Sequence, residues 1–160
     1  MEDIASVLAA HPFFEGIDAR HLPAIAECAT EARFGAGELI FPAGAEADRF
    51  FLLREGKVVL SVAVPDRDPI TIQRLSAGEV LGWSWLIPPY RWTFDAHALQ
   101  PTRAVVLDGK RLRAGIESNP ELGCVLLQRF TRIIAQRLQA TRAELLEYHE
   151  AWAKLLDGRT

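Results

Sequence analysis

The stretch that decides the fold is "GELIFPAGAEADRFFLLREGKVVLSVAV", residues 37–64. It contains three short runs rich in Leu, Ile, Val and Phe, at Glu38–Phe41, Arg49–Leu53 and Lys57–Val64. The connecting segments, "PAGAEAD" and "REGK", supply the Gly, Pro and Asp residues that tight turns favour. Short apolar runs divided by such turns are typical of β-strands. This stretch therefore predicts a protein built mainly from β-strands.

The same pattern continues on both sides of this stretch. Turn signals such as "GAGE", "PDRDP", "SAGE" and "QPT" separate further short apolar runs. Strands of this length at nearly regular spacing indicate a sandwich or a small barrel. The additional predicted strands are Glu31–Phe34, Ile70–Leu75, Phe94–Leu99 and Arg103–Leu107.

Helical periodicity flanks the predicted strands at both ends of the chain. Two short helices are predicted before the strands, at Glu2–His11 and Asp18–Cys28, and a third after them at "GKRLRAGIES", residues 109–118. A much longer helix opens at Asn119-Pro120, because proline suits the first helical turn. No Pro or Gly interrupts it from Val125 to Asp157.

The long helix carries an apolar stripe with one polar member. Its residues recur at steps of three and four: Leu127, Phe130, Ile134, Leu138, Thr141, Leu145, Tyr148, Trp152 and Leu155. A helix of roughly 50 Å is longer than a sheet domain of this size can cover. We therefore expect a homodimer in which the distal stripe packs against a second copy. The alternative is that the stripe is the buried face of an internal helix.

The composition narrows the class of protein. A chain of 160 residues with 49% hydrophobic and 24% charged residues fits one globular domain with an appended element. The formal net charge of −3 and the lack of a basic cluster disfavour nucleic-acid binding by the bulk surface. The acidic N-terminus does not resemble a signal peptide, and no apolar run approaches transmembrane length. We expect a cytoplasmic protein that binds no membrane.

The sequence offers no catalytic or metal-binding pattern. Cys28 and Cys124 lie far apart, so they predict neither a disulfide framework nor a metal pair. None of the four histidines lies within metal-pair spacing of another histidine or of a cysteine. There is no Gly-x-Ser-x-Gly elbow, Walker loop or Cys/His nucleophile arrangement. We therefore expect no enzyme activity and no metal site.

Motifs in the first half of the chain indicate a family. "PFFEG" precedes the first predicted strand, residues 34–44 fit Phe-x-x-Gly-Glu-x-Ile-Phe-x-x-Gly, and "REGKV" occupies Arg54–Val58. With these motifs, the sequence resembles the cyclic-nucleotide-binding domain of the cAMP receptor protein family over most of its length. The resemblance implies an eight-stranded antiparallel jelly roll with flanking helices at residues 1–118. It further implies a long C-terminal dimerisation helix at residues 119–160.

The resemblance also implies a phosphate-binding cassette between strands six and seven, here Gly82–Thr93, "GWSWLIPPYRWT". In the family, a glutamate of the cassette binds the ribose 2′-hydroxyl and an arginine contacts the cyclic phosphate. Trp83 stands where the glutamate belongs. If Thr93 takes the family's Ser/Thr position, Trp92 replaces the arginine and Arg91 lies one residue early. The cassette is therefore present in outline and altered in chemistry.

The candidate ligand-binding residues have distinct expected roles. Arg91 would contact a phosphate or carboxylate, Ser84 and Thr93 would contact hydroxyl groups, and Trp83 and Trp92 would form stacking walls. Thr141 matches the family threonine that contacts adenine from the dimer interface, although it is equally consistent with a small polar residue in a helical seam. The full candidate set is Gly82, Trp83, Ser84, Arg91, Trp92, Thr93 and Thr141.

Two functions from different classes follow. The first is a non-catalytic regulatory sensor that binds cAMP, cGMP or another small anionic ligand and signals to an unidentified partner protein through the C-terminal helix. The second is a ligand-independent dimerisation or scaffold module whose pocket is plugged by tryptophan. The sequence ends soon after the long helix, where the family's transcription factors carry a helix-turn-helix domain. We therefore expect no direct DNA binding.

Overall fold

The computed structural model describes residues 2–158, which form two compact units, one ending at Leu122 and the other beginning at Gly123. Helices α1 (Ile4–Ala10), α2 (Leu22–Ala26) and α3 (Gly109–Ser118) belong to the first unit, with single 3-10 turns at Pro12–Phe14, Ala19–His21 and Ser84–Leu86. Its strands are β1 (Ala29–Phe34), β2 (Leu39–Phe41), β3 (Arg49–Glu55), β4 (Lys57–Val62), β5 (Ile70–Ser76), β6 (Val80–Leu81), β7 (Asp95–Ala98) and β8 (Thr102–Asp108).

The strands form two four-stranded antiparallel sheets. Their orders are β1-β8-β3-β6 and β2-β7-β4-β5, so strands distant in sequence are neighbours in space. This arrangement confirms the predicted eight-stranded antiparallel jelly roll with flanking helices and a long C-terminal helix. The boundary predicted between residues 118 and 119 falls in the turn between α3 and the last helix, α4 (Pro120–Asp157).

Side chains from both sheets build one core. It contains the aromatic residues Phe41, Phe51, Trp92 and Phe94 among aliphatic residues of β3, β4 and β7. Most of these side chains are almost fully buried, as the alternation of inward and outward residues along paired strands requires. Trp92 of the cassette and Phe94 directly after it therefore belong to the core of the jelly roll.

One histidine ties the N-terminal helices to the sheets. The His11 ring is buried, and its Nε2 donates to the Leu53 carbonyl of β3 at 3.1 Å. Its Nδ1 accepts from the Phe13 amide at 3.1 Å, so the first 3-10 turn is capped by the same ring. The Leu53 carbonyl also accepts from the Gly78 amide at 2.8 Å. The neutral ring, protonated on Nε2, satisfies all of these bonds.

The distal half of helix α4, in the second unit, exposes large apolar side chains. The helix runs for 38 residues to Asp157. Five apolar side chains of the stripe in its distal half are each at least 58% exposed: Leu138, Leu145, Tyr148, Trp152 and Leu155. These are members of the stripe that the sequence identified.

Candidate functional site

The cassette begins where β6 ends. Gly82 has a φ of +96°, which only glycine adopts without strain, and the 3-10 turn Ser84–Leu86 follows it. The Pro88-Pro89 peptide bond is cis, and Tyr90 has a φ of +57°. The chain then re-enters regular structure at β7. The segment is thus a turn of helix followed by a tight reversal.

The second half of the cassette pairs with the loop between β2 and β3. The Gly44 amide donates to the Trp92 carbonyl at 2.8 Å, and the Trp92 amide donates to the Ala45 carbonyl at 3.0 Å. The Ala47 amide donates to the Tyr90 carbonyl at 2.7 Å. This short antiparallel ladder makes side chains alternate between the two faces. Trp92 therefore points into the core, whereas Arg91 is exposed.

Trp92 fills the space beside the start of the cassette. Its indole is 2% exposed and stacks on Phe41, with ring centroids 3.8 Å apart and planes 11° from parallel. A Cβ placed on Gly82 would lie only 2.8 Å from the Trp92 ring. Gly82 is therefore required by its backbone conformation and also by the tryptophan that packs against it.

The other cassette tryptophans have separate environments. Trp85 is fully buried and stacks on Phe50 at a centroid distance of 5.0 Å, and Ser84 beside it is buried as well. Trp83 is half-buried and meets the Phe94 ring edge to face at 6.3 Å. Trp85 was not predicted as a site residue, and its burial assigns it to the hydrophobic support of the cassette.

Arg91 lies on the outer side of the cassette with other charged groups. Its Nη1 donates to the Gly44 carbonyl at 3.1 Å, and its backbone forms an antiparallel bridge with Glu46. Glu46 Oε1 lies 3.0 Å from Lys110 Nζ on α3. The hydrogen bond and the charge of Lys110 lower the pKa of Glu46, and Arg91 and Arg113 lower it further. This carboxylate therefore stays ionised.

Helix α3 contacts the cassette through Arg113. The guanidinium of Arg113 lies 4.2 Å from the centre of the Tyr90 ring, a cation–π contact, and its Nη1 donates to the Trp85 carbonyl. Glu46, Lys110 and Arg113 were not among the site residues predicted from the sequence. The signal available was the spacing of three between Lys110 and Arg113, which places both on one face of α3.

The structure brings most of the predicted site residues into one segment but on different faces. Gly82, Ser84 and Trp92 are buried, and Trp83 is half-buried. Arg91 and Thr93 are exposed. Thr141 belongs to the second unit, where its Oγ1 donates to the Arg137 carbonyl at 2.9 Å within α4. The ligand roles given to these residues stay predictions.

Metal-binding clusters and membrane-spanning helices have structural requirements that residues 2–158 do not meet. No set of three or more His, Cys, Asp or Glu side chains in this range is arranged to hold a metal ion. No helix within the same range is both long and apolar enough to cross a membrane.

A jelly roll with a helical turn between its sixth and seventh strands defines a class of regulatory ligand-binding domains. Residues 31–119 match the cyclic nucleotide-binding domain family, and the chain belongs to that family. The resemblance stated from the motifs is thereby confirmed.

Individual relatives place the chain within this family. A CRP-like cAMP-activated global transcriptional regulator from Mycobacterium tuberculosis (strain CDC 1551 / Oshkosh) is 26% identical over 141 residues, which are 88% of this chain and 61% of the relative. The chain thus matches less than two thirds of that regulator's length.

Solved structures of similar proteins share the fold. A candidate cyclic nucleotide-binding protein from Geobacter metallireducens GS-15 is 33% identical, covers 86% of this chain and 99% of its own, and has a TM-score of 0.77. The regulatory subunit of a cAMP-independent protein kinase A from Trypanosoma brucei is 16% identical, with a TM-score of 0.70 over 88% of this chain and 49% of its own.

Proposed function

We propose that this chain is a regulatory domain that works without a cyclic nucleotide inside its barrel. The observation that carries the proposal is the burial of Trp92, which stacks on Phe41. The alignment made on Thr93 gives Trp92 the place of the family's phosphate-binding arginine. A ligand at that place would disrupt packing comparable to that lost on truncating a buried tryptophan, about 3–5 kcal/mol.

The ribose side of the pocket supports the same proposal. Trp83 stands at the position of the family glutamate, and an indole has a donor but no acceptor for a ribose hydroxyl. A charge-assisted hydrogen bond of about 1.5–3 kcal/mol is therefore missing. Since each 1.4 kcal/mol is a tenfold change in affinity, the two differences together predict a loss of more than about a thousandfold. We therefore do not expect this chain to share the cAMP activation of the M. tuberculosis relative.

The output of the domain is proposed to pass through α4. Five large apolar side chains of its distal half are at least 58% exposed, and a second copy of the same helix offers a complementary surface. We propose a cytoplasmic homodimer that presents a binding surface to a partner protein, with no catalytic activity and no direct DNA contact. In this form the protein is a ligand-independent dimerisation or scaffold module.

A second candidate function is a sensor of a small anionic ligand other than a cyclic nucleotide. The observation that favours it is the exposure of Arg91, which bridges to Glu46, the ion-pair partner of Lys110. Binding there would bias the cassette between two packings, as a population shift requires. This candidate predicts a saturable response to an anion that Arg91→Ala abolishes.

Thermal melting with and without cAMP or cGMP tests the first proposal. Wild type is expected to melt at the same temperature in each case. For a ligand at about a hundred times its dissociation constant, binding would instead stabilise the fold by about 2.7 kcal/mol. The variant Trp83→Glu/Trp92→Ala restores the family carboxylate and empties the indole space. We expect it to melt at a lower temperature and to gain a nucleotide-dependent rise.

The wild-type result alone decides the proposal if the double variant fails to fold. A saturable rise in the melting temperature of wild type with either nucleotide would overturn it. Thr71→Ala serves as the matched control, because Thr71 is exposed on β5, outside the cassette, and its truncation leaves the core intact. This control should behave as wild type in every titration.

A further inference from the structure

Four charged side chains meet on the outer side of the cassette, and together they are called the Glu46 cluster: Glu46, Arg91, Lys110 and Arg113. They come from three segments of the first unit, the β2–β3 loop, the cassette and α3. Lys110 Nζ lies 3.0 Å from Glu46 Oε1, and Arg91 is the backbone bridge partner of Glu46. Arg113 follows Lys110 on α3 by one turn.

The cluster holds more positive than negative charge. Arg91 donates to the Gly44 carbonyl, and Arg113 donates to the Trp85 carbonyl and lies over the Tyr90 ring. Carbonyl groups and aromatic rings orient a guanidinium but carry no net charge. These contacts therefore do not neutralise the positive charges of Arg91 and Arg113. Only one carboxylate therefore faces three cations within the cluster.

A second carboxylate, Asp48, also acts on Lys110 and raises its pKa, but less than Glu46 does. Asp48 is within 3.9 Å of Arg49, which supplies a cation of its own. Lys110, Arg91 and Arg113 all act to lower the pKa of Glu46, and Lys110 has the largest effect. The Glu46 carboxylate is therefore held as an anion, 3.0 Å from Lys110 Nζ and on the residue that bridges to Arg91.

We propose that the Glu46 cluster is a binding site for a small ligand of the phosphate class, and that the Glu46 carboxylate now fills the place of its anion. Two guanidinium groups and one ammonium are the donors that proteins use for phosphate. The ligand would displace the Glu46 carboxylate from Lys110 and contact Arg91 and Arg113. The site lies outside the barrel, so the inference does not depend on the first proposal, and it deepens the second candidate function by naming the ligand class.

Competition by Glu46 makes the proposal testable with one substitution. Glu46→Gln removes the resident negative charge and keeps the size of the side chain. If the ligand and Glu46 use the same cations, removing the carboxylate should raise the affinity for a phosphate-class anion about tenfold. Glu38→Gln is the matched control, because Glu38 is an exposed glutamate in the β1–β2 turn, outside the cluster.

The experiment is a titration of each full-length variant with inorganic pyrophosphate at constant ionic strength, followed by amide chemical shifts. We expect shifts at residues around Arg91, Lys110 and Arg113, tighter binding by Glu46→Gln than by wild type and Glu38→Gln, and loss of the gain in Glu46→Gln/Arg91→Ala. Equal affinities for Glu46→Gln and Glu38→Gln would overturn the proposal. Shifts that map to other residues, or that sodium chloride reproduces, would also overturn it.

The same samples separate this inference from the proposed function. A titration of wild type with cAMP reports on the barrel interior, where Trp92 lies, and not on the Glu46 cluster. Binding of cAMP would contradict the proposed function and leave the pyrophosphate result standing. Failure of the pyrophosphate titration would remove the cluster site and the phosphate-class form of the second candidate, and would leave the first proposal intact.

Discussion

At the residue scale, Trp92 is a core residue and also the side chain that we propose excludes a cyclic nucleotide from the cassette. Its indole packs on Phe41 and against Gly82, so truncation removes contacts on two sides. We predict that Trp92→Ala lowers the free energy of unfolding by about 3–5 kcal/mol, as measured by urea denaturation. Thr93→Ala, at the exposed neighbouring position, should change it by less than about 0.5 kcal/mol. Similar values for both variants would show that Trp92 contributes little to the core.

His11 gives the stability a pH dependence with a definite sign. Burial lowers the pKa of His11, the hydrogen bond to the Leu53 carbonyl opposes that shift, and the nearby Arg54 adds to it. In the unfolded chain, the imidazole titrates near its ordinary value of about 6.5. Below that pH the unfolded state binds the extra proton first, so the stability from this group is complete above about pH 6.5 and falls as the pH is lowered.

Denaturation curves at several pH values test this dependence. Wild type should lose up to about 1.4 kcal/mol per pH unit from this single group as the pH falls below about 6.5. His11→Gln should be less stable at neutral pH and should show a flatter profile in this window. His149→Gln, which changes an exposed histidine, should keep the wild-type slope. A parallel slope in His11→Gln would contradict the assignment.

The orientation of single side chains was the part least available from the sequence. The one-residue offset of Arg91 from the family position was visible in the motif. Its consequence depends on the ladder between Tyr90–Trp92 and Gly44–Ala47, which joins segments more than forty residues apart. Local sequence carries no information on that pairing, so the burial of Trp92 and the exposure of Arg91 required the structure.

At the scale of elements, the tight turn from β3 in one sheet to β4 in the other depends on one glycine. Gly56 has a φ of +96°, and a Cβ there would lie 2.4 Å from Thr102 Oγ1 and 2.5 Å from the Pro101 carbonyl oxygen. The left-handed backbone alone costs an alanine about 1–2 kcal/mol. The clash adds a cost of the size seen on overpacking, about 1–3 kcal/mol. A side chain at this position is therefore strongly unfavourable for the turn between the two sheets.

A pair of glycine variants separates these two costs. Gly37→Ala has a comparable φ of +84° but meets nothing within 4 Å, so it should lose only the backbone term. Gly56→Ala should lose clearly more, and equilibrium denaturation of the two variants measures the difference. Equal losses would mean that the neighbourhood of Thr102 relaxes freely around a new methyl group.

Most elements were predictable because each has a repeating local signal. Seven strands and the flanking helices followed from apolar runs, periodicity and turn residues. β6 was absent from the strand prediction based on pattern, since two residues show no alternation, and only the family resemblance supplied an eighth strand. The 3-10 turn Ser84–Leu86 was not predicted from periodicity either, because a single turn is shorter than the pattern that identifies a helix.

At the scale of the whole molecule, the exposed stripe of α4 predicts self-association. Leu138→Glu/Leu145→Glu places two charges in that stripe, and burying them against a second copy would be strongly unfavourable. Sedimentation velocity should give a dimer for wild type and a monomer for the variant. Gln136→Glu/Ala143→Glu adds the same charges on the opposite side of α4 and should remain dimeric. A dimeric stripe variant, or a wild type that stays monomeric, would contradict the proposed interface.

The central claim is that the barrel interior is occupied by the chain's own tryptophan and accepts no cyclic nucleotide. Isothermal titration of the unmodified protein with cAMP and with cGMP tests it most directly, because the measurement needs neither a variant nor a probe. We expect no saturable heat with either nucleotide up to a concentration of about 1 mM, equivalent to a binding free energy weaker than about 4 kcal/mol. Saturable binding of one nucleotide per chain in the micromolar range would contradict it.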